Sequence, residues 1–385
     1  MAGHSRPPPK KKARKERNPE RLPNPTSSTE IMDHRIWKEF PADLFEAVIA
    51  RLPIDTFCRF RSVCRKWNSL PTSHSFAQQC AQVPQSQPWF YTISNVSVNA
   101  GSMYDPCLRK WYHTTITASP IKSLLVPVAS AGGLICFVNR RHGCLYVCNP
   151  LTQSFKELPD ISIQDGCRVA VGMTLNAEST ARSYKILWVR TDGEYLVYDS
   201  LRNSWTQSTM PSRIKLPFSL ITRSHAISID GTLYFLGSDP VGMVSYNTTT
   251  GVWKQFSIPA PPDVCNCTLA ECAGRILLVG LQARNDARCV CIWELQKMTL
   301  LWKEVDRMPI LWCLEFYGKL IRMTCFGNKD VIMLSLKSRQ KTRLVTYDIL
   351  SREWLQVRGS KPPGRKSPQV VAWGTAFQPC LTALA

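Results

Sequence analysis

The stretch YDSLRNSW at residues 198–205 returns as YNTTTGVW at 246–253 and as YDILSREW at 347–354. In each, an aromatic residue followed by Asp or Asn stands seven positions before a tryptophan. Looser copies pair Tyr104 with Trp111 and Cys148 with Phe155, and Trp293 with Trp302 reads as a sixth copy stretched to nine. The first members lie 44, 50, 48, 47 and 54 residues apart. That period suits one four-stranded propeller blade, so six copies imply six blades. Between the copies, short runs rich in Val, Ile, Tyr, Phe and Trp alternate with Gly, Asn, Asp and Pro, which is a strand-and-turn texture.

A glycine-bearing turn precedes several copies: Gly132 and Gly133, then Asp230 and Gly231, then Ala273 and Gly274. Blade three has no matching doublet, and blade six offers two candidates, Gly318 and Gly327, with an extra stretch between them. This layout of glycine, tyrosine and tryptophan resembles kelch repeats. The aromatics are expected to fill the wedges between blades, each burying about 150–250 Å², and therefore to be core rather than a ligand cage. Ahead of Tyr104 only one clear strand is present, Trp89 to Ser94, where other blades have two. The spare pattern Gln369 to Phe377 is therefore expected to pair into the first blade and latch the ring, which also removes an exposed edge.

Upstream lies a different texture, FPADLFEAVIARLPIDTFCRFRSVCRKWNSL at residues 40–70. Pro41, Asp43 and Glu46 suit a helix start. Leu44, Phe45, Val48, Ile49 and Leu52 follow at helical spacing, and Pro53 stops the helix. A second pattern runs through Phe57, Phe60, Cys64 and Trp67, and Ser75 is the expected N-cap of a last helix through Phe76 and Gln79. So short a unit cannot bury all these large apolar groups, so one face awaits a partner.

The order of Phe40, Pro41, Leu44, Ile49, Leu52, Pro53, Phe57, Val63, Cys64 and Trp67 resembles the F-box, with Phe40 where that family usually has leucine. The fuller arrangement, MDHRIW, this segment and then a repeat domain, is similar to plant F-box/kelch proteins, most closely F-box-only proteins of the leaf-curling-responsiveness type. The resemblance implies that Phe40, Pro41, Leu44, Ile49, Leu52, Pro53, Phe57, Val63 and Trp67 form or support a face that docks a Skp adaptor, and through it cullin and RING subunits. It also implies a target protein held by the propeller for ubiquitination, and a role in plant development.

The expected organisation is a multidomain α plus all-β chain. It has a disordered basic tail over 1–35, a helical F-box module over 36–83, and a six-bladed kelch-like β-propeller over 84–385 closed by the C-terminal strand. The tail holds almost no apolar residues and cannot offset its ordering entropy. Its cluster of Lys10, Lys11, Lys12, Arg14, Lys15 and Arg17 is of the kind read by nuclear import receptors, so nucleus or cytoplasm is the expected location. No run of eighteen apolar residues exists and no apolar leader opens the chain, so neither a membrane nor secretion is expected. The 16 cysteines then belong to a reducing compartment as free thiols, and the absence of any CxxC pair speaks against zinc.

The net charge of +20 favours acidic partners through salt-sensitive attraction. A basic scaffold binding nucleic acid or acidic proteins is the alternative reading, but the aromatics such a role would need are spoken for by the blades. Motifs for hydrolase, nucleotide or zinc chemistry are missing, and the propeller histidines His113, His142 and His225 are scattered, so neither catalysis nor a cofactor or metal is expected. Loops between the second and third strands of successive blades share one rim. Three of these loops are basic, through Arg140 and Arg141, through Arg284 and Arg288, and through Lys337, Arg339, Lys341 and Arg343. Such a rim suits an acidic or phosphorylated target segment.

Overall fold

The computed structural model describes residues 3, 41–83, 87–94, 100–116, 125–139, 143–161, 169–176, 183–190, 193–212, 214, 226–237, 242–284, 287–361 and 371–385. The chain divides into a short unit, Met1–Phe45, and a main unit, Glu46–Ala385. Of the short unit, Gly3 and residues 41–45 are described, the latter opening helix α1, Ala42–Ala50. The import cluster Lys10, Lys11, Lys12, Arg14 and Lys15 and the docking candidate Phe40 lie outside the described residues.

Pro53 ends the first helical segment and starts the next, α2, Ile54–Phe60. The second apolar pattern does not run through as one helix. Cys64 is extended, at φ −155°, and a separate α3, Arg65–Ser69, follows it. A single 3-10 turn, Leu70–Thr72, leads into α4, His74–Gln82. The cap of α4 is Ser73, whose Oγ accepts from the Phe76 amide at 3.3 Å. Ser75, the expected cap, lies one residue inside the helix, because the side chain three residues before a free amide is the one that reaches it. Phe57 and Phe76 are fully buried and stack at 5.6 Å, and they hold α2 against α4.

Six four-stranded antiparallel sheets follow. Their innermost strands are Trp373–Phe377, Leu125–Ala131, Val169–Leu175, Ile227–Ile229, Val264–Cys272 and Arg322–Asn328, and each neighbours the next around a closed ring. This is a six-bladed β-propeller. In the first blade the innermost place is taken by the C-terminal strand, with Trp89 opposite Phe377 and Ile93 opposite Trp373. Residues 362–370, which include Gln369, lie outside the described residues.

The ring is stitched shut from the sixth blade. Asn328 Nδ2 donates to the carbonyls of Trp89 at 2.8 Å and Phe377 at 3.0 Å. Beyond Phe377 the last residues run along the second blade. There Asn149 Nδ2 donates to the carbonyls of Cys380 and Ala383, and the Ala385 amide donates to Ser154 Oγ.

Each repeat is a hairpin between the third and fourth strands of a blade. The paired residues face one another across it: Tyr104 and Trp111, Cys148 and Phe155, Tyr198 and Trp205, Tyr246 and Trp253, Tyr347 and Trp354. The rings of the Tyr–Trp pairs sit 4.6–5.2 Å apart, and the tyrosines are buried. The Asp or Asn that follows caps the turn. Asp199 Oδ1 accepts from the Leu201 amide, and Asp348 Oδ1 accepts from those of Leu350 and Ser351.

The fifth blade corrects the expected register. Trp302 lies opposite Leu295, not Trp293, whose cross-strand neighbour is Glu304. The sixth copy is therefore Leu295 to Trp302 at the ordinary spacing of seven. The backbone agrees: one residue of positive φ stands five positions after each first member, at Arg109, Gln153, Asn203, Gly251, Leu300 and Arg352. In the sixth blade neither candidate glycine makes the turn between first and second strands, which is built on Lys329 at φ 51°.

Candidate docking surfaces

An antiparallel blade places its hairpins and its loops at opposite ends. The first-to-second and third-to-fourth turns fall on one face of the ring, here called the turn face. The second-to-third loops and the connections between blades fall on the other, the loop face. Two side chains of the helical module after Phe45 reach the turn face. Arg61 Nη1 donates to the carbonyl of Leu151 in the hairpin of the second blade at 3.1 Å, and Asp55 pairs with Lys110 at the hairpin of the first at 3.5 Å.

Within the module the expected docking residues split by burial. Ile49 and Phe57 belong to its core, while Leu52 and Trp67 are half-buried, the latter stacked on Phe60 at 4.7 Å. Pro41, Leu44, Pro53 and Val63 are exposed, Leu44 at 51% and Val63 at 65%, joined by Val48, which the sequence reading had not singled out for docking. Ile49 and Phe57 therefore support the fold of the module rather than offer surface. Large apolar side chains left in water at such density mark an unmet contact.

On the loop face the expected basic rim is only partly free. Arg140 and Arg141 lie outside the described residues, and of Arg284 only the backbone, in strand Arg275–Arg284, is described. Arg288, Lys337 and Arg339 are exposed. Arg343, by contrast, is 8% exposed. Its guanidinium lies over the Trp312 ring at 4.8 Å and donates to both carboxyl oxygens of Glu315. Lys341 Nζ pairs with the same carboxylate at 2.6 Å. Those two cations, with the Lys341 bond first, hold the Glu315 carboxyl below its ordinary pKa. Lys341 and Arg343 are thus engaged inside the chain. Sequence reading missed this because the matching acid, Glu315, lies 28 residues upstream, in the connection between the fifth and sixth blades.

That stretch is the feature sequence reasoning passed over. A short helix, α5, Ile310–Leu314, and the turns after it leave Ile310, Leu311, Leu314, Tyr317 and Leu320 exposed, Leu311 at 73% and Leu320 at 76%. Cys313 and Phe316 anchor it from below, and burial pushes the Cys313 thiol up to about 12. The signal was present as the apolar run PILWCLEF at residues 309–316.

The ring also encloses a central cavity of about 610 Å³, lined by hydroxyl and carboxyl groups that include Ser130, Thr174, Ser228, Glu271 and Thr375. Burial raises the pKa of Glu271. His113 bonds through Nδ1 to Ser102 Oγ at 3.1 Å, and burial lowers its pKa; His142 and His225 lie outside the described residues. Among the described residues no group of three or more His, Cys, Asp or Glu could hold a metal ion, and no helix is long and apolar enough to cross a membrane. The described cysteines are free thiols.

Two families match the chain in the places the geometry separates. The F-box domain matches residues 37–79, and the F-box associated beta propeller domain matches residues 90–361. Over 403 aligned residues the chain is 54% identical to "F-box only protein 6" of Arabidopsis thaliana, covering 100% of this chain and 85% of that protein. It is 25% identical to "Protein UNUSUAL FLORAL ORGANS" of the same plant, covering 93% and 88% of the two chains. Similarity to "F-box only protein 13", also from Arabidopsis thaliana, is 26% over 90% and 86%.

Proposed function

Because the chain belongs to the F-box proteins that carry an F-box associated beta propeller, we propose that it is the substrate-recognition subunit of a Skp–cullin–F-box ubiquitin ligase. The observation that carries this reading is the division of unburied surface. Val48, Pro53 and Val63 offer apolar groups on the helical module, while the basic and apolar features of the propeller lie on the face away from Arg61 and Asp55.

The chemistry is proximity. Docking the Skp adaptor on one side and a target on the other raises the effective concentration of target lysines near a charged ubiquitin-conjugating enzyme, with no covalent step by this chain. Burying each large apolar anchor contributes about 1.5–3 kcal/mol, so three or four suffice for a stable adaptor interface. A nuclear location, through Lys10 to Lys15, and assignment to the leaf-curling-responsiveness type belong to the same proposal.

Capture of a purified Skp adaptor by the full chain tests it. Wild type should retain the adaptor, and Leu44→Ala with Pro53→Ala should lose most of it; a wild-type chain that recovers none ends the proposal.

A further inference from the structure

We propose that α5 and the turns that follow it form the target-docking site of the loop face, and that its occupant is a peptide segment with two or more large apolar side chains among acidic residues. This rests on the reading of the chain as a substrate receptor and names the surface that reading leaves open.

Three observations converge on it. First, Ile310, Leu311, Leu314, Tyr317 and Leu320 are all exposed within eleven residues, a density that monomeric surfaces avoid outside binding sites. Second, the segment is braced from beneath and beside although its outer side is bare. Cys313 and Phe316 are buried beneath it, Trp312 is covered by the Arg343 guanidinium, and Glu315 is gripped by Lys341 and Arg343 from the adjoining loop. A surface so braced loses little entropy on binding. Third, the surround is cationic: Arg322 lies opposite Lys337 across adjacent strands, both exposed, with Arg339 two residues on.

Glu315, the carboxylate of this cluster among the described residues, already pairs with two cations. Charge complementarity therefore selects an acidic ligand, and a patch with four aliphatic side chains to one exposed aromatic, Tyr317, selects a peptide over a single-stranded nucleic acid, which would need a row of stacking aromatics. The docking mode is apolar anchoring ringed by charge, with the anchors setting affinity and the cations setting rate and orientation.

A phage-displayed library of random 16-residue peptides, selected on the full-length chain, tests the inference. Enriched peptides should carry two or more of Leu, Ile, Met, Phe or Trp with an excess of Asp and Glu. A fluorescein-labelled synthetic peptide of the winning sequence should bind at least about tenfold more weakly to Leu311→Asp with Leu320→Asp. Lys337→Glu with Arg339→Glu should weaken it by a similar factor at low salt and by less at high salt. Both variants alter exposed side chains, and an unchanged melting temperature shows that they fold.

No enrichment, enrichment of basic or wholly polar peptides, or binding indifferent to the Asp variant would each overturn the proposal. So would a dimer of the wild-type chain that the Asp variant dissolves, since the patch would then belong to a second copy. Adaptor capture is measured on the same preparations. A chain that holds the adaptor but fails these criteria refutes this inference alone, whereas failure to hold the adaptor refutes the receptor reading beneath it.

Discussion

The side-chain amide of Asn328 donates to the main-chain carbonyl of Phe377 at 3.0 Å, and its other proton goes to the carbonyl of Trp89. One buried residue of the sixth blade thus grips two adjacent strands of the first, at the seam where the ring begins and ends. Replacing it removes a buried hydrogen bond from each of two main-chain carbonyls, a loss on the order of 1–3 kcal/mol apiece. Asn328→Ala is expected to destabilise the propeller by about 2–4 kcal/mol in urea unfolding, with the adaptor interface on the helical module still competent at low temperature. A loss below about 0.5 kcal/mol would mean that the seam is held by the strand pairing alone.

Glu315 gives the loop face a dependence on pH whose sign can be worked out. Its folded pKa lies below the ordinary 4.5 because Lys341 and Arg343 favour the carboxylate. The stabilisation is therefore complete above the unfolded value and is lost as pH falls through the lower folded value. Glu315→Gln should flatten the part of the stability curve below about pH 4.5 while leaving Arg343 buried without its counter-charge. Breaking a fully buried pair costs about 3–5 kcal/mol, and since Glu315 keeps some contact with water the expected loss at neutral pH is about 1–3 kcal/mol. Chemical denaturation of both chains at pH 3, 5 and 7 separates the two effects.

Four of the six blades were legible because the sequence repeats one physical device, a buried tyrosine, a capping Asp or Asn and a cross-strand tryptophan, and the second blade keeps the same spacing with Cys148 and Phe155. The fifth blade was misread because Leu295 and Gln296 stand where Tyr and Asp stand elsewhere, while a true pair of tryptophans, Trp293 and Trp302, lay nearby as a decoy. The hairpin is specified by backbone conformation as well as by side chains, and a left-handed Leu300 announces nothing in sequence. The helical module was readable from spacing in outline, but the division between core and surface was not. Ile49 and Val48 are adjacent and similar, yet tertiary packing buries the first and leaves the second exposed. The clamp of Arg343 was invisible because its partner lies 28 residues away.

The corrected register makes its own forecast. Leu300, at φ 53°, occupies the turn position that Gly251 fills in the fourth blade at φ 69°. A branched side chain in the left-handed region is disfavoured by roughly 1–2 kcal/mol, whereas glycine is not. Leu300→Gly should therefore stabilise the protein by up to about 1 kcal/mol, after the larger unfolded-state entropy of glycine is set against that relief. Gly251→Leu should destabilise it by about the same or more. Thermal unfolding that moves the wrong way in both variants would restore the nine-residue register.

Gly327 tests the close approach of inner strands around the cavity. A Cβ there would collide with the Glu271 carbonyl oxygen and sit 2.9 Å from the Glu271 nitrogen, both backbone atoms of the neighbouring blade. Neither can swing away as a side-chain end would. Gly327→Ala should cost about 1–3 kcal/mol, the range for overpacking a tight interior. Gly193→Ala, in open space at φ 92°, serves as the comparison, its cost coming from backbone strain alone. Equal melting temperatures for wild type and Gly327→Ala would show that the blades can part without penalty.

The split between core and surface in the helical module separates folding from docking. Phe57 is fully buried against Phe76, so Phe57→Ala should cost about 3–5 kcal/mol and abolish adaptor capture by unfolding the module. Val63 is 65% exposed, so Val63→Asp should leave stability within about 0.5 kcal/mol while placing a charge in an apolar interface. Under the receptor proposal, capture should fall at least about tenfold for Val63→Asp with no change in circular dichroism or melting. If Val63→Asp binds like wild type, that side chain lies outside the adaptor contact, and the docking face must be drawn around Leu44, Val48 and Pro53 instead.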